Sequence, residues 1–88
     1  MIKLDKKILT EVTDKDLMVF LVAAGFEIEH VKRDIVHSRS LVYFEKTEEF
    51  EKAMLRFANK DNMINYSDYA AADRRVTTIL NMYKTTAV

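Results

Sequence analysis

The chain has 88 residues, with one glycine, no proline and no cysteine, and its 14 basic residues balance 14 acidic ones. This length predicts one domain over residues 1–88 with a modest core, and the missing cysteines exclude disulfides and cysteine-based zinc sites. The zero net charge excludes a generally basic surface for nucleic acid but leaves a local patch open, and no apolar run approaches the about 20 residues that span a bilayer.

The chain begins with a predicted strand and a predicted helix. Ile8, Thr10 and Val12 alternate with strand spacing, so we expect a short strand from about Lys6. Thr13 is the predicted N-cap of a helix over 14–24, because its hydroxyl can accept a hydrogen bond from a first-turn amide. The predicted buried face of this helix consists of Leu17, Phe20, Leu21 and Ala24.

A hairpin is predicted to follow this helix. Gly25 fits the left-handed position after the helix, and a strand begins at Phe26. Its alternation slips near residues 30–31, where a bulge is expected. A second strand over 40–45 is apolar on both faces, which predicts a central or well-covered strand. The connection over 34–39 predicts a hairpin with a polar tip.

Two further helices are predicted in the second half. Thr47 is the expected N-cap of the second helix, which ends within residues 59–62, and Ser67 is the expected N-cap of the third. The connector over 63–66 is expected to touch the core. The predicted buried stripes are Phe50, Ala53, Met54, Phe57 and Ala58 in the second helix and Tyr69, Ala72, Val76, Ile79, Leu80 and Tyr83 in the third.

The predicted order of elements is β-α-β-β-α-α. This order predicts an α+β fold, a small two-layer domain in which an antiparallel sheet of two to three strands is packed by three helices. Two strands alone are marginal in water, so we expect the N-terminal strand or a partner chain to complete the sheet.

No catalytic constellation is evident. The single glycine excludes the Walker loop and the dinucleotide fingerprint. Glu29, His30, Asp34 and His37 leave open a metal site across the hairpin, although two exposed histidines near a loop are the preferred interpretation. We therefore expect no catalytic residues, no metal and no cofactor, and a protein that is not an enzyme. A small enzyme or a nucleotide-sequestering protein would need a pocket between subunits.

Basic and aromatic residues cluster around the predicted hairpin. A basic β-ribbon can enter a nucleic-acid groove, and aromatic side chains can stack on bases. The candidate nucleic-acid-binding residues are His30, Lys32, Arg33, His37, Arg39 and Tyr43. Glu27, Glu29 and Asp34 interrupt this cluster, so a solvated hairpin with mixed charges is the favoured interpretation.

The last third of the chain carries more tyrosine and methionine than one small core needs. Both residue types are favoured at protein interfaces. The candidate partner-binding residues are Tyr66, Arg74, Arg75, Met82 and Tyr83. Met82 lies one position off the apolar stripe and is the best candidate for exposure.

The order of motifs resembles a family of small bacteriophage and prophage proteins known only as a domain of unknown function. Typical features are a Thr-Lys-Asp-like helix start, a Leu-rich helix ending in Gly-Phe, a Phe-x-Phe-Glu-like strand and a final helix led by tyrosine. The matching residues are Thr13, Asp14, Leu17, Leu21, Gly25, Phe26, Val42, Phe44, Glu45, Phe50, Phe57, Tyr69, Ala72 and Tyr83. The chain departs from the pattern at Tyr43, in its more charged hairpin and in lacking a proline before the last helix.

The resemblance implies a viral or prophage origin and carries no catalytic residues. We expect a phage-encoded accessory protein in the host cytoplasm that binds a host or phage protein, and inhibition of a host defence or replication factor is a typical role for such a chain. The alternative is a nucleic-acid-binding module that uses the charged hairpin around residues 30–43. A homodimer is also expected, because a small sheet with open edges gains from pairing. We expect no association with a membrane.

Overall fold

The structure, a computed structural model, describes residues 8–60 and 64–86 and confirms the predicted α+β order. The elements are β1 Leu9–Val12, α1 Lys15–Ala23, β2 Ile28–Asp34, β3 Arg39–Glu45, α2 Glu48–Ala58 and α3 Tyr66–Thr86. Any earlier start of β1 near Lys6 lies outside the described residues. Ile8 precedes the strand, and its carbonyl accepts the Lys46 amide at 2.7 Å, which extends the pairing by one step.

The three strands form an antiparallel sheet in the order β1-β3-β2, so β3 is central as predicted. Val12, Val42 and Val31 lie side by side in one row across the sheet, and all three are buried. The predicted bulge is confirmed, because the register shifts between Ile28 and His30. Side chains alternate between faces along a strand, so the row of valines defines a core face and leaves an open face opposite.

Helix α1 is buried on most of its circumference. Its buried residues are Met18, Val19, Phe20, Leu21 and Val22. The other helices extend this core: the Phe20 and Phe57 rings lie 5.3 Å apart, and the Phe44 and Phe50 rings stack at 5.7 Å. Because Phe44 is two residues from Val42 on the same strand, α2 packs against the core face of the sheet. The core therefore lies between one sheet face and the helices.

The helix ends show which capping predictions hold. Thr47 caps α2 as predicted, with its hydroxyl accepting the Phe50 amide at 3.0 Å. The cap of α1 is Asp14 rather than Thr13, because the Asp14 carboxylate accepts the Asp16 amide at 2.9 Å. The cap of α3 is Asn65 rather than Ser67, since the Asn65 side-chain oxygen accepts the Ser67 amide at 2.7 Å. The capping side chain thus lies one residue later than predicted in α1 and two residues earlier than predicted in α3.

Gly25 ends α1 as predicted, with a φ of 105°. Its amide donates to the Val22 carbonyl, and the Phe26 amide donates to the Leu21 carbonyl, both at 3.0 Å. This paired pattern is the Schellman motif, which satisfies the last carbonyls of a helix. It also turns the chain so that the Phe26 ring meets the Phe50 ring edge-on at 5.7 Å.

Some residues predicted to be in or against the core are exposed instead. They are Ala24, Ala58, Tyr66 and Tyr69. Each lies in the first or last turn of a helix or just beyond it. Helical spacing alone does not show where the core stops along the helix axis.

Candidate functional site

The tip of the β2–β3 hairpin exposes two apolar side chains. Residues 35–38 form the turn, and the Ser38 amide donates to the Ile35 carbonyl at 3.3 Å. Ile35 is 79% exposed and Val36 is 86% exposed. The predicted polar tip is therefore wrong: His37 and Ser38 are present, but they share the turn with two branched apolar residues.

A single carboxylate organises this turn. The Asp34 carboxylate accepts the His37 backbone amide at 3.4 Å and the His37 Nδ1–H at 2.8 Å. It also accepts the Arg39 Nε–H at 3.3 Å, across the base of the turn. The hydrogen bond from the His37 side chain holds the pKa of Asp34 below its ordinary value, against a smaller opposing effect of burial. These hydrogen bonds of Asp34 stabilise the observed conformation of the turn.

The structure divides the predicted nucleic-acid-binding residues between the two faces of the hairpin. His30 and Tyr43 are paired across the open face, with their ring centres 5.9 Å apart, and Lys32 follows beside them. Arg33 is the next residue along β2 and therefore lies on the core face, where it is half-buried. His37 and Arg39 are bound to Asp34 at the turn.

The open face of the sheet carries both signs of charge. Glu11 lies directly opposite Tyr43 in the register of β1 and β3, and Glu45 lies opposite Leu9. Glu11 lies on the side of the central strand away from Lys32, and Glu45 lies at the end of the central strand itself. The open face is therefore not a continuous basic surface of the kind that follows a phosphate backbone.

The predicted partner-binding residues of α3 do not form one patch. Tyr66 is 83% exposed and Met82 is 57% exposed, so the predicted exposure of Met82 is confirmed. Sixteen helical steps separate them, a distance of about 24 Å along the axis at 1.5 Å per residue. Arg75 is two turns from Met82 on the same stripe, and Arg74 is also exposed. The side chain of Tyr83 lies outside the described residues.

The sequence interpretation missed Ile35 and Val36 as surface features. Their signal was present, since two consecutive β-branched residues stand within a segment predicted to turn. Such residues favour strands and are depleted in turns. Their presence at the tip therefore has no local conformational reason.

The described part of the chain holds no group of three or more side chains arranged to bind a metal ion. In particular, Glu29, His30, Asp34 and His37 do not assemble the metal site left open by the sequence. None of the described helices combines the length and the apolar character needed to cross a bilayer.

Comparison with known proteins places the chain in a family. Residues 7–84 match DUF5659, a domain of unknown function. This range includes every described strand and helix except the last two residues of α3. No match was found among curated proteins or among solved structures. The phage or prophage origin implied by the resemblance stays a prediction. The match over almost all of the chain shows that it belongs to the DUF5659 family of domains of unknown function.

Proposed function

We propose that this protein is a non-enzymatic interaction protein that inserts the tip of its β2–β3 hairpin into an apolar groove of another protein. The observation that carries this proposal is the exposure of Ile35 and Val36, at 79% and 86%, on an ordered turn. Burying a side chain of this kind contributes about 1.5–3 kcal/mol relative to leaving it in water. Two adjacent ones therefore make an effective anchor for their size.

The fixed shape of the turn favours binding. The Asp34 carboxylate bonds both the His37 ring and the His37 amide, so these contacts favour the observed shape of the turn before a partner arrives. A preformed element loses less conformational entropy on binding than a flexible loop does.

The charges around the tip indicate the character of the groove. Lys32 and Arg33 lie near the end of β2 and Arg39 lies at the start of β3, so all three are close in the chain to the two apolar residues, and Asp34 offsets one of these cations. An apolar groove with an acidic rim is the complementary surface, and such complementarity acts mainly on association rate and specificity.

The test is capture of partners by the immobilised protein from a lysate of the cells that express it. The double variant Ile35→Ser/Val36→Ser is expected to lose the captured protein, since it removes the anchor and leaves the Asp34 contacts in place. Leu55→Ser is the matched control, because Leu55 is an exposed apolar residue on α2. Equal capture by the tip variant and the wild type would rule out the tip as the docking element.

The biological setting belongs to the same proposal. The family resemblance supports a phage or prophage origin, a location in the host cytoplasm and a host or phage protein as target, with inhibition of a host defence or replication factor as the effect.

On α3, Arg74, Arg75 and Met82 are a second predicted contact surface, and Tyr66 lies apart from it. Substitution of Met82 by serine is expected to weaken capture less than the tip variant does.

Nucleic-acid binding by the hairpin is the second candidate, and the paired rings of His30 and Tyr43 favour it. Bases can stack on such rings beside a cation, here Lys32. Binding of this kind weakens steeply with salt, and Lys32→Ala/Tyr43→Ala is expected to abolish it while Lys52→Ala on α2 leaves it unchanged. A mobility-shift assay at low salt that shows no complex with DNA or RNA would end this candidate.

A homodimer also remains a prediction. The two sheet edges offer little for it: β1 has 4 residues, and β2 carries a bulge beside the charged Glu29 and Lys32. Both features discourage edge-to-edge pairing. Sedimentation at increasing concentration measures it, and a strictly monomeric protein would remove this part of the proposal.

A further inference from the structure

A concave region lies beside the turn of the hairpin, on the core face of the sheet. It is a cleft of about 340 Å³ between the hairpin, the start of α1 and the second half of α3. Its lining residues are Thr13, Lys15, Met18, Arg33, Ser38, Arg39, Ser40, Thr77, Leu80 and Asn81. These positions come from four segments of the chain, so no local sequence pattern marks the cleft.

The cleft concentrates positive charge in a protein whose net charge is zero. Lys15, Arg33 and Arg39 all line it, and no carboxylate does. Two of these cations have neighbouring partners. The Lys15 Nζ lies 3.7 Å from the Asp73 Oδ1, and the Arg39 Nε lies 3.3 Å from the Asp34 Oδ2. Both pairs are partly exposed to solvent, which makes them weak.

Arg33 is different from the other two cations. It is half-buried on the core face of β2, and within the part of the chain that the structure describes its guanidinium has no ion pair or hydrogen bond. A charge that is partly removed from water without a partner is unfavourable. An anion in the cleft would supply the missing partner, and the planar guanidinium can bind two oxygens of one oxyanion at once.

The rest of the lining also suits an oxyanion. The hydroxyl groups of Thr13, Ser38, Ser40 and Thr77 can donate further hydrogen bonds to the oxygens of such an anion. Met18 and Leu80 add an apolar portion.

We propose that this cleft binds a phosphate group carried on a small organic molecule. A phosphate monoester has a charge of about −1.5 to −2 at pH 7, which matches several cations better than a carboxylate does.

This site shares Arg33, Ser38 and Arg39 with the proposed docking tip and its surroundings, but it does not include the two apolar residues that anchor the tip. Ile35 and Val36 do not line the cleft, so loss of partner capture and loss of phosphate binding are separate outcomes. Phosphate groups reach proteins on nucleotides and on phosphorylated side chains, so the experiment compares both sources with inorganic phosphate.

The test is an NMR titration of the full chain at constant ionic strength, with inorganic phosphate, a nucleoside 5′-monophosphate and O-phosphoserine as the probes. We expect saturable shifts of the amides of Thr13, Lys15 and residues 38–40. The probe that binds most tightly identifies the source of the phosphate. No saturable shift with any of the probes would overturn the proposal.

Two variants decide whether the cleft is the site. Arg33→Gln is expected to weaken binding about 10-fold or more, because charge-assisted hydrogen bonds are stronger than those between neutral groups. Lys52→Gln removes the same charge from an exposed residue of α2 that does not line the cleft, and should leave binding nearly unchanged. Equal weakening by the two variants would show diffuse attraction to positive charge instead. Thermal unfolding of both variants checks that each retains the fold.

Discussion

At the residue scale, Gly25 determines where the hairpin begins. Its φ of 105° allows the Gly25 and Phe26 amides to reach back to the carbonyls of α1. A β-carbon at this position would meet no heavy atom within 4 Å. The glycine is therefore required by the backbone conformation and not by lack of space.

Gly25→Ala is expected to lower the free energy of unfolding by about 1–2 kcal/mol, the cost of a left-handed conformation for a residue with a β-carbon. Gly25→Asn should cost less, because asparagine adopts positive φ more readily than alanine does. Urea denaturation of the two variants and the wild type measures both effects. An alanine variant as stable as the wild type would show that the chain can leave α1 by another route.

The Asp34–His37 contact predicts a pH dependence. Because the pKa of Asp34 is lowered in the folded state, its contacts stabilise the protein above the unfolded pKa, and this contribution is lost as the pH falls through the folded pKa. His37→Ala should raise the pKa of Asp34 toward its ordinary value, since the main cause of the shift is removed. A carboxyl NMR titration measures this value, with His30→Ala, which does not touch Asp34, as the control. An unchanged pKa in His37→Ala would contradict the assignment.

At the element scale, the start of α1 shows how far the sequence determines a helix. Thr13 and Asp14 are adjacent residues that both favour the N-cap, so composition alone does not decide between them. Which of the two residues caps α1 depends on the path of the backbone between β1 and α1. Asp14 has extended backbone angles and a carboxylate 2.9 Å from the Asp16 amide, whereas Thr13 is only the exposed residue before it.

Asp14→Ala is accordingly expected to destabilise the domain by about 1 kcal/mol, the usual cost of removing a helix cap. Thr13→Ala should stay within about 0.5 kcal/mol, as surface substitutions without a specific role do. Chemical denaturation of the two variants side by side gives the comparison. A larger loss of stability in Thr13→Ala than in Asp14→Ala would show that Thr13 is the cap.

The hairpin shows what the sequence could and could not predict of the candidate site. The alternation of apolar residues predicted the two strands and the bulge near His30, because each depends on neighbours in the chain. The exposure of Ile35 and Val36 depends on how far the turn projects from the core. The cleft depends on residues as distant as Thr13 and Thr77, which only the completed fold brings together.

At the scale of the whole molecule, the helices and the sheet share one core in which α1 is the central element. The sequence predicted a single buried stripe on α1, but Met18, Val19 and Val22 are buried as well. The reason is visible afterwards in the run from Leu17 to Ala24, which contains no polar residue. A helix that is apolar all round is covered on more than one side, here by the sheet and by α3.

This central position makes α1 the place where a small change in volume has the largest effect. Leu21 is completely buried, and Leu21→Ala is expected to cost about 2–5 kcal/mol through lost burial and the cavity left behind. Leu55→Ala is the same chemical change on the exposed face of α2 and should cost no more than about 0.5 kcal/mol. Since small domains are stable by only about 5–15 kcal/mol in total, the first variant should unfold at a much lower urea concentration than the second. Equal midpoints for the two variants would mean that α1 is not enclosed as the structure shows, and the positions of the hairpin and the cleft, which depend on α1, would then have to be reconsidered.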